Sequence, residues 1–125
     1  MPAPARPERL RRRSEFRAVA RGRKLSRPGF VLQALDSSDA ARAPRFGFTV
    51  TKKTGNAVVR NRIRRRLREA VRLSAGDVAR PGVDYVLIGR RAALTLPFDR
   101  LVDDLRSGLG ALGRNARDAG DRSAT

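Results

Sequence analysis

The sequence of 125 residues contains no cysteine and no histidine. Without cysteine there are no disulfides and no thiolate nucleophiles, and without either residue there are no Cys/His zinc sites. The lack of histidine also removes the usual general base of protein ribonucleases. The few acidic residues are scattered, and Asp103 and Asp104 are adjacent on a predicted helix and so point apart. The sequence therefore gives no candidate for protein-borne metal or nucleophilic chemistry.

Aromatic residues are also scarce, at 5% of the chain, and tryptophan is absent. The hydrophobic content of 40% is enough for one modest core, and the length predicts a single domain. No run approaches the roughly 18 apolar residues that a membrane-spanning helix needs. The basic N-terminus lacks the apolar stretch of a secretory signal. We therefore expect a soluble, cytoplasmic protein.

Negative charge is the third shortage, because 12 acidic residues face 29 basic ones and the net charge is +17. Only three of the basic residues are lysines, and the others are arginines. Such an excess of one sign opposes compaction through self-repulsion. It indicates a polyanionic partner, either a nucleic acid or an acidic membrane surface.

The most informative stretch runs from Gly55 to Arg72 and has the periodicity of an amphipathic helix. Asn56 is its predicted N-cap, because the side-chain oxygen can accept a hydrogen bond from the first turn. The apolar arc consists of Val59, Ile63, Leu67, Ala70 and Val71. The remaining surface carries six arginines within residues 60–68, together with Asn61.

This arginine surface is unfavourable for an isolated helix, since like charges four residues apart, such as Arg64 and Arg68, repel each other. Only Glu69 offers a local counter-charge. A solvated basic face is the alternative, but the density of arginine favours phosphate contacts, because guanidinium groups match phosphate oxygens bidentately. Lys52 and Lys53 precede the helix N-terminus, where a phosphate could also bind.

The rest of the chain predicts an α+β fold. A first helix, capped by Ser14, carries Phe16, and a last helix begins near residues 95–99. Strands are predicted at residues 24–26, 29–35, 45–51 and 83–89, which gives a four-stranded sheet packed against three helices. The strand–helix–strand segment 45–89 predicts a parallel crossover, and the general rule expects a right-handed one. Residues 1–8 and 114–125 are predicted to be disordered tails around a domain at 9–113.

The run KKTGNAVVRNRIRR at residues 52–65 closely resembles the signature of the bacterial ribonuclease P protein component. The RNR element at 60–62 is its most distinctive part. The resemblance covers about residues 9–112 and includes the pattern from Leu10 to Phe16, the strand at 30–32 and residues 84–86.

The resemblance implies an α-β sandwich with a left-handed β-α-β crossover, similar to a ribosomal-protein fold and contrary to the general rule. It implies binding to the catalytic RNA of ribonuclease P, one protein per RNA, and to precursor tRNA. The complex removes the 5′ leader, and the RNA carries the active site and most of the Mg²⁺. The protein would contact the leader in a cleft between helix and sheet.

Site residues follow from the resemblance position by position. The implied RNA-binding residues are Lys52, Lys53, Asn56, Arg60, Asn61, Arg62, Arg64, Arg65 and Arg68. The implied leader-cleft residues are Phe16, Gln33, Phe48 and Arg90. Two positions depart from the family, because Ala20 and Gln33 stand where aromatic residues are common. Base–aromatic stacking is worth roughly 1–3 kcal/mol per base, so leader contacts should differ here.

Two other functions fit the composition. A structural RNA-binding protein, such as a ribosomal protein, has similar size and charge, but it would not distinguish precursor from mature tRNA. A basic membrane-surface module would need bulky apolar residues on the arginine helix free to enter lipid. The modest Val, Ile and Leu side chains of that helix are better explained as core residues.

Overall fold

The computed structural model describes the backbone of residues 8–37 and 39–124, and the side chains of 8–37, 39–74 and 78–113. Its helices are α1 Arg13–Val19, α2 Ala57–Val78 and α3 Phe98–Ala124. Its strands are β1 Glu8–Arg9, β2 Arg23–Arg27, β3 Phe30–Asp36, β4 Arg45–Thr49 and β5 Val83–Gly89. Two short 3₁₀ turns lie at Lys52–Thr54 and Arg91–Leu94. The predicted α+β class with three helices is confirmed for the described residues.

The strands form one mixed sheet in the order β1-β4-β5-β3-β2. Strands β4 and β5 are parallel neighbours joined through α2, so the predicted parallel crossover is confirmed. The prediction of four strands is wrong, because β1 adds a fifth by pairing in parallel with Arg45 and Phe46 at the start of β4. Its two residues are charged and exposed, so no hydrophobic alternation marks them in the sequence.

Alternating side chains divide the core between the two faces of the sheet. On one face, residues such as Leu32, Phe46 and Tyr85 pack against α2 and α3, and the rings of Phe46 and Tyr85 stack with their centroids 4.9 Å apart. On the other face, a smaller cluster of Leu10, Val19 and Val86 lies beneath α1. The sheet is therefore covered by α2 and α3 on one side and by the short α1 on the other.

The structure describes only part of the two tails that were predicted at residues 1–8 and 114–125. Residues 1–7 lie outside the described residues, and Glu8 belongs to β1. The bounds of α3 include residues 114–124, which the sequence assigned to the C-terminal tail. The division into two tails and one domain stays a prediction.

The cap of α1 differs from the prediction, since the N-cap residue is Arg12 and not Ser14. The chain is still extended at Arg12, and the side chain of Glu15 closes the first turn. Its Oε1 accepts hydrogen bonds from the backbone N–H groups of Arg12, at 2.9 Å, and Arg11, at 3.3 Å. The capping side chain belongs to the third residue of the helix, Glu15, and not to a serine that precedes it. A search for a preceding serine therefore misplaces the start of α1.

Candidate nucleic-acid interface

The helix α2 is held to the sheet by its apolar arc. Ile63, Leu67 and Ala70 are fully buried in the main core. The predicted N-cap is confirmed, because Asn56 Oδ1 accepts a hydrogen bond from the Val59 N–H at 3.0 Å. The arginines on the outer side are therefore presented by a firmly anchored element. The apolar arc that a membrane-surface module would insert into lipid is occupied by the core.

The predicted RNA-binding residues line the outer surface of α2 and the turn before it. Asn61 accepts a hydrogen bond from Arg64 Nη1 at 3.0 Å, which orders both side chains. The buried Nε of Arg60 has no hydrogen-bond partner among the described residues. Arg60 and Arg64 are half-buried, and the exposed members of the set are Lys52, Lys53, Asn56, Asn61, Arg62, Arg65 and Arg68.

Two other arginines of α2 are already bound within the protein. Glu69 pairs with Arg72 on the exposed surface, with Arg72 Nε 3.0 and 3.1 Å from the two carboxylate oxygens. Arg66 donates to the backbone carbonyl oxygens of Ala93 and Leu96, the latter at 2.7 Å. Arg66 therefore joins α2 to the segment before α3. The sequence shows it only as one of the six arginines within residues 60–68 and gives no sign of this role.

An open cleft of about 500 Å³, here named the edge cleft, lies beside β4. Burial lowers the pKa of Arg68, and the nearby charges of Arg9, Arg64 and Arg65 lower it further. These guanidinium groups therefore repel one another in a partly desolvated place, which an anion would relieve. The cleft is lined by Arg9, Leu10, Arg11, Phe16, Phe46, Gly47, Phe48, Arg64 and Arg68.

A second depression, here named the α1 groove, lies between α1 and the sheet and measures about 270 Å³. Two of the implied leader-cleft residues, Phe16 and Gln33, come together in it. Gln33 is nearly buried, at 8% exposure, and the small Ala20 leaves room beside Phe16. The groove is lined by Arg13, Phe16, Arg17, Ala20, Gln33, Thr49, Val86 and Ile88.

The other two implied leader-cleft residues lie elsewhere. Phe48 alternates with Gly47 and Thr49 along β4, so it faces the main core and lines the edge cleft. Arg90 follows β5 and donates to the carbonyl oxygen of Arg27 at 3.2 Å. Phe16 is the residue that both clefts share.

A chain of ion pairs fixes α1 against the sheet. Arg45 in β4 binds Asp84 of β5 with two hydrogen bonds, at 2.9 and 2.8 Å, and also pairs with Glu15 of α1. Arg42 binds the same Asp84 at 2.6 Å. Asp84 Oδ1 thus accepts from both arginines, and the pairing with Asp84 raises the pKa of Arg45. Because Glu15 precedes Phe16, these contacts set where the Phe16 ring lies.

In the described part of the chain, no three potential metal ligands (His, Cys, Asp or Glu) lie close enough together to hold a metal ion. No helix in the same residues is both long enough and apolar enough to cross a membrane.

Comparison with known proteins gives a consistent result. The family model described as Ribonuclease P matches residues 5–113. The ribonuclease P protein component of Gluconacetobacter diazotrophicus is 56% identical over 122 residues, covering 95% of this chain and 97% of that protein. The same component of Brucella suis is 46% identical over 121 residues, covering 91% and 85%.

Solved structures agree in fold. The ribonuclease P protein of Thermotoga maritima superposes with a TM-score of 0.70 at 29% identity, covering 83% of this chain and 96% of that one. The Staphylococcus aureus ribonuclease P protein, at 24% identity, also gives a TM-score of 0.70. On the family match and the identity to these relatives, the chain belongs to the bacterial ribonuclease P protein component family.

Proposed function

We propose that this protein binds the catalytic RNA of ribonuclease P and the 5′ leader of precursor tRNA, and so promotes endonucleolytic removal of the leader in the cytoplasm. The observation that carries the proposal is the row of arginines on α2. Arg64, Arg65 and Arg68 project from an anchored helix, and no carboxylate pairs with them among the described residues. A phosphate backbone supplies the missing anions.

The leader is assigned to the α1 groove. Phe16 offers an aromatic ring for stacking, and Val86 and Ile88 give an apolar floor. Arg13 and Arg17 lie at the same groove, where they can contact leader phosphates. Because Ala20 and Gln33 replace two aromatic positions, a single ring and the Gln33 amide would hold the bases.

The proposal assigns the chemistry to the RNA subunit and its Mg²⁺. Two carboxylates of this protein are engaged in ion pairs, since Asp84 binds Arg42 and Arg45, and Glu69 binds Arg72. The protein contributes positioning and positive charge, which reduces the repulsion between two RNA molecules and favours metal binding at their junction.

Reconstitution tests the proposal. The protein is mixed with a bacterial ribonuclease P RNA and a precursor tRNA at low Mg²⁺, and release of the 5′ leader is measured. We expect protein-dependent cleavage at the mature 5′ end and tighter binding of precursor than of mature tRNA. If RNA alone and the mixture cleave equally while the protein still binds RNA, the protein is a structural RNA-binding protein.

A further inference from the structure

The arginines that line the edge cleft have no acidic partner among the described residues. Arg23, Arg42 and Arg45 each form an ion pair with an aspartate or glutamate. No such pair, and no side-chain hydrogen bond, is formed in the described residues by Arg9, Arg11 or Arg68, although they line one cleft. Arg64, the fourth, donates only to Asn61.

These four arginines reach the cleft from two separate parts of the chain. Arg9 belongs to β1 and Arg11 follows it, whereas Arg64 and Arg68 lie one helical turn apart on α2. The charge of Arg9 lowers the pKa of Arg68, so the two segments are close enough for their repulsion to count. Cationic groups on both sides of a cleft are arranged to hold an anion between them.

The strand edge inside the cleft is also open. Strand β1 pairs only with Arg45 and Phe46, and the carbonyl oxygen of Phe46 accepts the Leu10 N–H at 2.9 Å. Backbone groups alternate sides along a strand, so the N–H and C=O of Phe48 face the same edge. Among the described residues no strand pairs with Phe48 there. These groups can bond to a base or a ribose.

We propose that the edge cleft binds two consecutive phosphates of single-stranded RNA between Arg9 and Arg11 on one side and Arg64 and Arg68 on the other. The base between the phosphates lies against the half-buried ring of Phe48. This inference rests on the proposed RNA-binding function and adds to it a site that includes the N-terminal segment. Phe16 forms a wall of both clefts, so one strand can pass from the α1 groove over the β4 edge.

The absence of tryptophan allows a direct test, because a Phe48→Trp variant of the full chain carries a single reporter at this site. Fluorescence is titrated with a single-stranded oligouridylate of 12 nucleotides at several salt concentrations. We expect saturable quenching as a base stacks on the indole. Absence of quenching, or equal quenching by a polyglutamate peptide, would overturn the proposal.

The phosphate contacts are tested by Arg9→Ala/Arg11→Ala in the same background. Each phosphate contact contributes about −0.7 to the slope of log affinity against log salt on single strands, so we expect the slope to flatten by about 1.4. The matched control is Arg21→Ala/Lys24→Ala, which removes two exposed charges that form no ion pair in the described residues and that lie at the β2 end of the sheet, away from the β4 edge. Equal flattening in both double variants would show that only net charge matters and would overturn the proposal.

Two further measurements separate the loss of charge from other effects of these substitutions. Arg9→Lys/Arg11→Lys keeps both charges and should restore most of the slope. The salt slopes of the same variants are also measured in the background that retains Phe48, with a fluorescent label on the end of the oligonucleotide. The result then does not depend on the Phe48→Trp substitution. The oligonucleotide experiment uses no ribonuclease P RNA, so it is independent of leader cleavage. If reconstitution releases no leader but Arg9→Ala/Arg11→Ala still flattens the salt slope more than its control does, the role in leader removal is rejected and this RNA-binding site is retained.

Discussion

The ring of Phe16 lies directly over the backbone of Gly47. A Cβ atom added at Gly47 would lie 2.5 Å from Phe16 Cε1 and 2.6 Å from Cζ, well inside van der Waals contact. The glycine is therefore required by close approach and not by its backbone angles. This contact holds the aromatic ring at the boundary between the edge cleft and the α1 groove, where a base would meet it.

The first prediction follows from this contact. Phe16→Ala should weaken precursor tRNA binding by about 5- to 150-fold, which is the loss of one stacking contact of about 1–3 kcal/mol. Gly47→Ala should reproduce part of this loss by displacing the ring, with overpacking that costs about 1–3 kcal/mol of stability. Affinities for precursor tRNA, mature tRNA and the catalytic RNA alone are measured by fluorescence anisotropy.

Gly108→Ala on α3 is the matched control, since its added Cβ would meet only the ends of Leu25 and Leu32 at 3.3 Å. It should leave the ratio of precursor to mature tRNA affinity unchanged. An equal loss on mature tRNA in Phe16→Ala would mean that Phe16 serves packing alone.

The second prediction concerns the arginines of α2. Arg60→Ala and Arg65→Ala should each weaken binding to the catalytic RNA and reduce the magnitude of the salt slope by about one. Arg72→Ala removes the same charge from the same helix, but Arg72 is paired with Glu69, so its slope should change less. Unchanged slopes in both test variants would count against α2 as the phosphate-contacting surface.

The third prediction separates a structural arginine from its neighbours. Arg66→Ala leaves the carbonyl oxygens of Ala93 and Leu96 without their charged donor. Hydrogen bonds to charged groups contribute about 1.5–3 kcal/mol each, so we expect a loss of at least that size in unfolding free energy by urea denaturation. Arg65→Ala should change stability by no more than about 0.5 kcal/mol, as for other exposed positions.

A stability loss of similar size in Arg65→Ala would contradict this division of roles. So would an Arg66→Ala protein that unfolds at the wild-type urea concentration but binds RNA with a flatter salt slope.

Much of the fold could be predicted because the segments with strong hydrophobic periodicity are the ones whose apolar side chains are buried. The alternation at residues 45–50 and the apolar arc of α2 both follow from one buried face. The strand β1 could not be predicted, since two exposed charged residues carry no pattern. The roles of Arg66 and Arg68 could not be told apart either, because both are arginines on one helix and only tertiary contacts distinguish them. The resemblance implies one cleft for Phe48 and Gln33, although alternation along β4 places Phe48 on the other face of the sheet.

The last prediction concerns acid pH and the position of α1. The Arg12 N–H holds the pKa of Glu15 below its ordinary 4.5, and the Arg11 N–H and the charge of Arg45 act in the same direction. A lowered pKa in the folded state means that the ionised carboxylate stabilises the fold above the ordinary pKa. That contribution is lost as pH falls through the lowered value.

Glu15→Gln should therefore be less stable than the wild type at pH 7, and the difference should shrink toward zero as the pH falls through the lowered pKa of Glu15. Urea denaturation of both proteins at several pH values measures the difference, and hydrogen exchange of the α1 amides locates it. Precursor tRNA affinity at pH 7 should fall in the same variant, because Glu15 joins α1 to Arg45 and so positions Phe16. A stability difference that is the same at every pH would mean that the charge of Glu15 does not hold α1 to the sheet.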